Sequence, residues 1–165
     1  MKKLSFLLSG LIAALSIYAQ VTSDPAVVYI GDQTKEFKII FDATKGDGGM
    51  KGQTSCYIHT GLITDKSSGD SDWKHATNWG DNADKYKMTK VDTNIWEIPI
   101  TGGINSYYKC SSTETVKKLA FVFRNSNGSK QSEDLFYALT DPYEILDIKN
   151  GDLLFTGDPK QHFAA

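Results

Sequence analysis

Apolar and polar residues alternate with a period of two over most of the chain, and the alternating runs are short. Phe37, Ile39 and Phe41 share one face of the run Glu36 to Asp42, and Trp96, Ile98 and Ile100 share one face of Ile95 to Ile100. A period of two is that of a half-buried β-strand. Lys85 to Val91 alternates as well, and Asp92-Thr93-Asn94 joins it to the Trp96 run as a hairpin, with Trp96 in the core. Leu119 to Phe123 is apolar on both faces, which predicts a central strand covered on two sides. Gln131 to Leu139 follows, with Leu135, Tyr137 and Leu139 on one face. Ala26 to Ile30 is the first extended segment, ended by a Gly31-Asp32 turn, and Ile145 to Lys149 with Asp152 to Thr156 around Asn150-Gly151 is the last hairpin. Between them, 43–53 is a glycine-rich loop, and 101–112 is a polar connection that the pattern assigns to neither helix nor loop. No segment keeps a helical period. Seven to eight short strands predict an antiparallel, immunoglobulin-like β-sandwich.

One strand carries candidate chemistry. In Cys56 to Ile63, Cys56, Ile58 and Leu62 point to one face and read as core, while Tyr57, His59 and Ile63 point to the other. The polar loop that follows brings Trp73 and Trp79 within reach of Tyr57 and His59. Flat rings with a polar edge cover the C–H face of a sugar while hydrogen-bonding its hydroxyls. Covering roughly 150 Å² of such surface contributes on the order of 4 kcal/mol before ordering costs, which makes a single site weak. Tethering to an enzyme on the same polymer makes weak contacts effective.

Composition and charge narrow the alternatives. Lys2 and Lys3, the apolar run Leu4 to Ile17 and Tyr18-Ala19-Gln20 have the parts of a secretory leader, too short for a membrane span. The expected organisation is a leader over 1–19, one domain over 20–140, and an extension over 141–165 that begins a following region of a longer polypeptide. The net charge of −2 becomes more negative without Lys2 and Lys3, which argues against nucleic acid or an anionic membrane as partner. Cys56 and Cys110 either pair in the oxidising compartment that an exported chain meets or stay as buried thiols. The three histidines lack ligand spacing, and Asp65, Asp70, Asp72, Asp81 and Asp84 do not match an EF-hand loop, so no metal and no cofactor is expected. Neither paired carboxyls across a cleft nor a nucleophile motif is legible, and the expectation is a binding module, not an enzyme.

Four pieces in a fixed order carry a family resemblance. They are Tyr57-Ile58-His59, Trp79-Gly80, Lys87-Met88-Thr89 leading into Ile95-Trp96-Glu97-Ile98, and Phe121-Val122-Phe123 followed by Asn127-Gly128 and Gln131 to Leu135. This order resembles the starch-binding modules of carbohydrate-binding family 26 and their relatives of family 25, and the modules that precede secreted amylase-type glycoside hydrolases of Bacteroidetes. The resemblance spans about residues 22 to 140. It implies non-catalytic binding of α-glucan, as polysaccharide or oligosaccharide, beside a fused catalytic domain. Position by position it implies Tyr57, His59, Trp79, Lys87 and Gln131 as ligand-binding residues, with Trp73 added by this chain's own loop. That loop is longer than the family pattern, so the stacking position falls to Trp73 or Trp79, and His59 stands where many members have tyrosine. The competing class is a secreted docking domain that uses the same patch on a protein. Such hot spots favour arginine, and this chain has one, Arg124.

Overall fold

Strands β1 (Val21–Asp24) and β2 (Phe37–Asp42) pair antiparallel at the start of the computed structural model, which describes residues 19–142, 145–149 and 152–155. The other strands are β3 (Tyr57–Thr64), β4 (Thr89–Asp92), β5 (Ile95–Ile100), β6 (Val116–Arg124), β7 (Leu135–Ala138), β8 (Ile145–Lys149) and β9 (Asp152–Phe155). They form a four-stranded antiparallel sheet in the order β1-β2-β5-β4 and a three-stranded one in the order β3-β6-β7, with β8-β9 as a separate hairpin. The seven-stranded, all-β sandwich agrees with the sequence pattern. β6 is the central strand of its sheet, as its two apolar faces require.

The sheets meet through their alternating residues. Phe37, Ile39 and Phe41 of β2 and Trp96, Ile98 and Ile100 of β5 are buried against Ile58, Leu62, Leu119, Phe121 and Phe123 of the other sheet. Phe41 and Phe123 stack across the interface at 3.9 Å with ring planes 2° apart. A short helix, α1 (Gly103–Tyr108), packs beside β5 with Ile104, Tyr107 and Tyr108 buried. Gly103 has φ of 75°, and a Cβ there would stand 2.5 Å from the carbonyl carbon of Thr34, so only glycine fits. The Tyr108 hydroxyl donates to Thr60 Oγ1 at 2.8 Å, because the Thr60 proton goes to the Ala120 carbonyl.

Four boundaries differ from the pattern, each for a local reason. Ala26 to Ile30 is no strand; Tyr29 makes a single parallel bridge to Thr140. The first strand lies upstream, disguised by Ser23, a polar residue buried because its hydroxyl meets that of Tyr137 at 2.6 Å. Lys85 to Val91 splits into a 3₁₀ turn, Asp84–Tyr86, and the exposed edge strand β4, because the chain changes sheets at Met88, whose N–H donates to Cys56 O. Gln131 makes one bridge to Arg124, and the regular ladder starts only at Leu135. Cys56 and Cys110 are both free and buried. The expected leader (1–18 of it), the Asn150-Gly151 turn and the end of the extension lie outside the described residues.

Phe41→Ala removes one ring of the intersheet stack. It should cost about 3–5 kcal/mol in urea unfolding with little change in slope; a loss under about 1 kcal/mol would mean that the stack is not central to the core.

Candidate functional site

The outer face of the three-stranded sheet is set by register. Tyr57 pairs with Arg124, His59 with Val122, Gly61 with Ala120 and Ile63 with Lys118, so these residues share one face, opposite the core. β3 is an edge strand, and an exposed edge is a liability unless covered. Loop residues 74–77 cover it: Lys74 and Leu62 exchange both main-chain hydrogen bonds at 2.7 and 2.8 Å, and Thr77 N–H donates to Thr60 O. The Lys74 and Ala76 backbone then lies directly over Gly61, where a Cβ would come within 3.1 Å of Lys74 O and of Trp73 Cβ. Ile63, which the alternation had placed on the open side, is also buried.

What stays open is a shallow cleft of about 450 Å³ lined by His59, Trp73, Trp79, Val122, Asp72 and Asp134, with Ser71 and Ala76. Trp73 stacks on His59 at 5.6 Å with planes 22° apart, and Trp79 meets His59 edge-on at 4.9 Å and 73°. The two indoles are therefore not coplanar. Trp73 is held from behind by the edge of Phe136 and by its Nε1–H, which donates to Asp70 O at 2.8 Å. Trp79 is 55% exposed, so it does not serve as a buried pin for its loop. Partial burial, reinforced by the nearby Arg124 charge, holds His59 below its usual 6.5. The ring is neutral at neutral pH, and Thr77 Oγ1 fixes it at 3.1 Å through Nδ1.

Two charged side chains absent from the expected site hold this loop. Arg124 is 1% exposed; its Nη2 donates to Asp81 O at 2.7 Å and its Nη1 to Asn125 O and Ser126 O, with the guanidinium 5.7 Å from the Tyr57 ring and 5.9 Å from Trp79. Glu114 is 4% exposed. Its Oε1 accepts from Thr64 at 2.7 Å, and its Oε2 accepts from His75 Nε2 at 3.1 Å and Lys66 Nζ at 3.3 Å. The Thr64 hydrogen bond, with those from His75 and Lys66, outweighs burial and holds the carboxyl at about 2. Gln33 fixes the backbone beneath, donating to Glu114 O and accepting from Val116 N–H.

The structure thus brings together His59, Trp73 and Trp79 of the expected residues. Tyr57 stands beside them over Arg124. Lys87 pairs with Tyr57 through an isolated bridge, but lines a separate pocket with Lys85, Pro99 and Tyr107. Gln131 is exposed beside Arg124, outside the cleft lining. Missed were Asp134 and Val122, which register alone places, and Arg124, whose signal was a lone arginine on the outward parity of a central strand. The absence of ligand spacing among histidines also hid a cluster of His75 with Cys110 and Glu114, which lie together on a segment distant in sequence. No protein-family model and no curated protein matches this sequence.

Glu114 is ionised at a pH where its unfolded counterpart is protonated, so its contribution is complete above 4.5 and is lost as pH falls from 4.5 towards 2. Glu114→Gln should destabilise the chain by on the order of 2 kcal/mol at neutral pH, and urea unfolding across pH should show that gap closing over the same window. A gap that stays constant down to pH 2 would contradict the clamp.

Proposed function

We propose that the chain is a non-catalytic module that binds α-glucan, starch or a related α-1,4-linked chain, and serves a secreted glycoside hydrolase as an accessory domain. The observation that carries this reading is the angled set of rings around His59, with Trp73 nearly parallel to it and Trp79 nearly perpendicular. A flat row of rings suits a straight, ribbon-like polysaccharide. Rings turned against each other suit a chain that curves, as an α-1,4-linked glucan does. Asp72 and Asp134 at the rim supply acceptors for sugar hydroxyls, and the neutral His59 adds an apolar face without a charge to desolvate. The cleft is shallow, open and built from rings, which favours holding a polymer over enclosing a reaction.

Native affinity electrophoresis tests the proposal. In gels containing soluble starch the chain should be retarded, in xylan gels it should not, and Trp79→Ala and Trp73→Ala should each weaken retardation at least tenfold, the loss of about 1.4 kcal/mol of contact. Unchanged mobility in starch would overturn the reading and favour the docking domain.

A further inference from the structure

We propose that His75, Cys110 and Glu114 form a binding site for a thiophilic divalent cation of the zinc type. The three come from two segments, His75 from one and Cys110 with Glu114 from the other. His75 lies in the aromatic loop between Trp73 and Trp79, Cys110 follows α1, and Glu114 precedes β6. One nitrogen, one sulfur and one carboxylate oxygen from them all lie within 4.8 Å of one another. Ligands around one tetrahedral zinc sit about 2.0–2.3 Å from the metal and hence roughly 3–4 Å apart, so small side-chain rotations complete the geometry.

The donor set is chemically apt. A thiolate, an imidazole and a carboxylate favour zinc or cobalt over calcium and magnesium, which take oxygen ligands. The carboxylate is already oriented: Thr64 holds Oε1 at 2.7 Å, which leaves Oε2 for the ion, and an outer hydrogen bond of this kind is what fixes ligating carboxylates. His75 Nε2 stands 3.1 Å from Oε2, a separation suited to two ligands of one ion. Lys66 also reaches Oε2, at 3.3 Å, but its side chain is 58% exposed and free to withdraw into water. His75 is partly exposed and opens a route from solvent, and water supplies the fourth ligand. On binding, the cation replaces the Cys110 thiol proton, which is released to solvent, and His75 ligates through Nε2 as the tautomer that carries its proton on Nδ1.

The same three residue types also make nucleophilic triads, and the surroundings of the sulfur speak against that. In a triad one imidazole nitrogen faces the sulfur and the other faces the carboxylate. Here Nε2 faces the Glu114 carboxylate, so the distinction lies with the sulfur. Burial and the facing carboxylate also push the Cys110 thiol up, away from a reactive thiolate.

The reduced full chain, titrated with cobalt(II) as a spectroscopic probe, tests the site independently of any glucan. The expected result is one equivalent bound, with the intense visible bands of tetrahedral cobalt and a near-ultraviolet sulfur-to-cobalt band, both bleached by zinc. Cys110→Ser should lose the sulfur band. His75→Asn, which keeps a residue tolerant of the left-handed backbone at φ of 52°, should weaken binding at least tenfold and abolish the rise in Tm that zinc gives the unsubstituted chain. Absence of the sulfur band in the unsubstituted chain, or its persistence in Cys110→Ser, would overturn the proposal.

Discussion

The aromatic cleft depends on the hydrogen bonds of one buried carboxylate. Glu114 stands almost out of water and takes three donors, Thr64 from the end of β3, Lys66 from the start of the loop and His75 from its middle. A buried carboxylate without donors is costly, so the fold that buries Glu114 also obliges the loop to come to it. Trp73 is two residues from His75, and its place over the sheet follows. At the far end Arg124 acts in the same way, because its buried guanidinium draws the Asp81 carbonyl down and fixes the stretch just after Trp79. A loop that would otherwise be mobile is fastened at both ends by charge.

The sandwich supplies the rigid half of this arrangement. The Phe41–Phe123 stack and the apolar residues around it fix β6, and the pairing of β3 with β6 then fixes which side chains stand beside His59. The need to cover the edge of β3 brings 74–77 alongside it, and Gly61 leaves the gap into which the loop backbone settles. The placing of the cleft's rings thus follows from core packing, register and edge protection, each acting on a different part of one loop.

The core was legible because it obeys a simple period. Phe37, Ile39, Phe41, Trp96, Ile98 and Ile100 are buried as alternation requires, and Leu119 to Phe123 is central because it is apolar on both sides. Tyr57, His59, Trp73 and Trp79 were legible as rings near one strand. Their relative tilt was not, since it depends on tertiary contacts: Phe136 and the Asp70 carbonyl at Trp73, and a loop fastened by Arg124 and Glu114, which look like ordinary charged residues until those contacts bury them. Ser23 hid β1 in the same way, as a polar residue whose burial depends on Tyr137, remote in sequence. Ile63 lies on the outward parity of β3 yet is buried. Lys87 and Gln131 have the outward parity that a binding residue needs, but register places them on either side of the Tyr57–Arg124 pair, outside the cleft lining. Patterns within one strand are local, whereas these assignments depend on which segments meet.

The three tryptophans offer the most direct measurement of the central claim, that a starch-like chain lies across the rings of the loop. Each indole N–H gives its own signal in a nitrogen–proton correlation spectrum, and Trp96 is buried in the core, 2% exposed. On titration with a maltooligosaccharide, the signals of Trp73 and Trp79 should move together along one saturation curve while that of Trp96 stays in place. No movement of either loop indole, with the chain folded and the sugar in excess, would contradict the account.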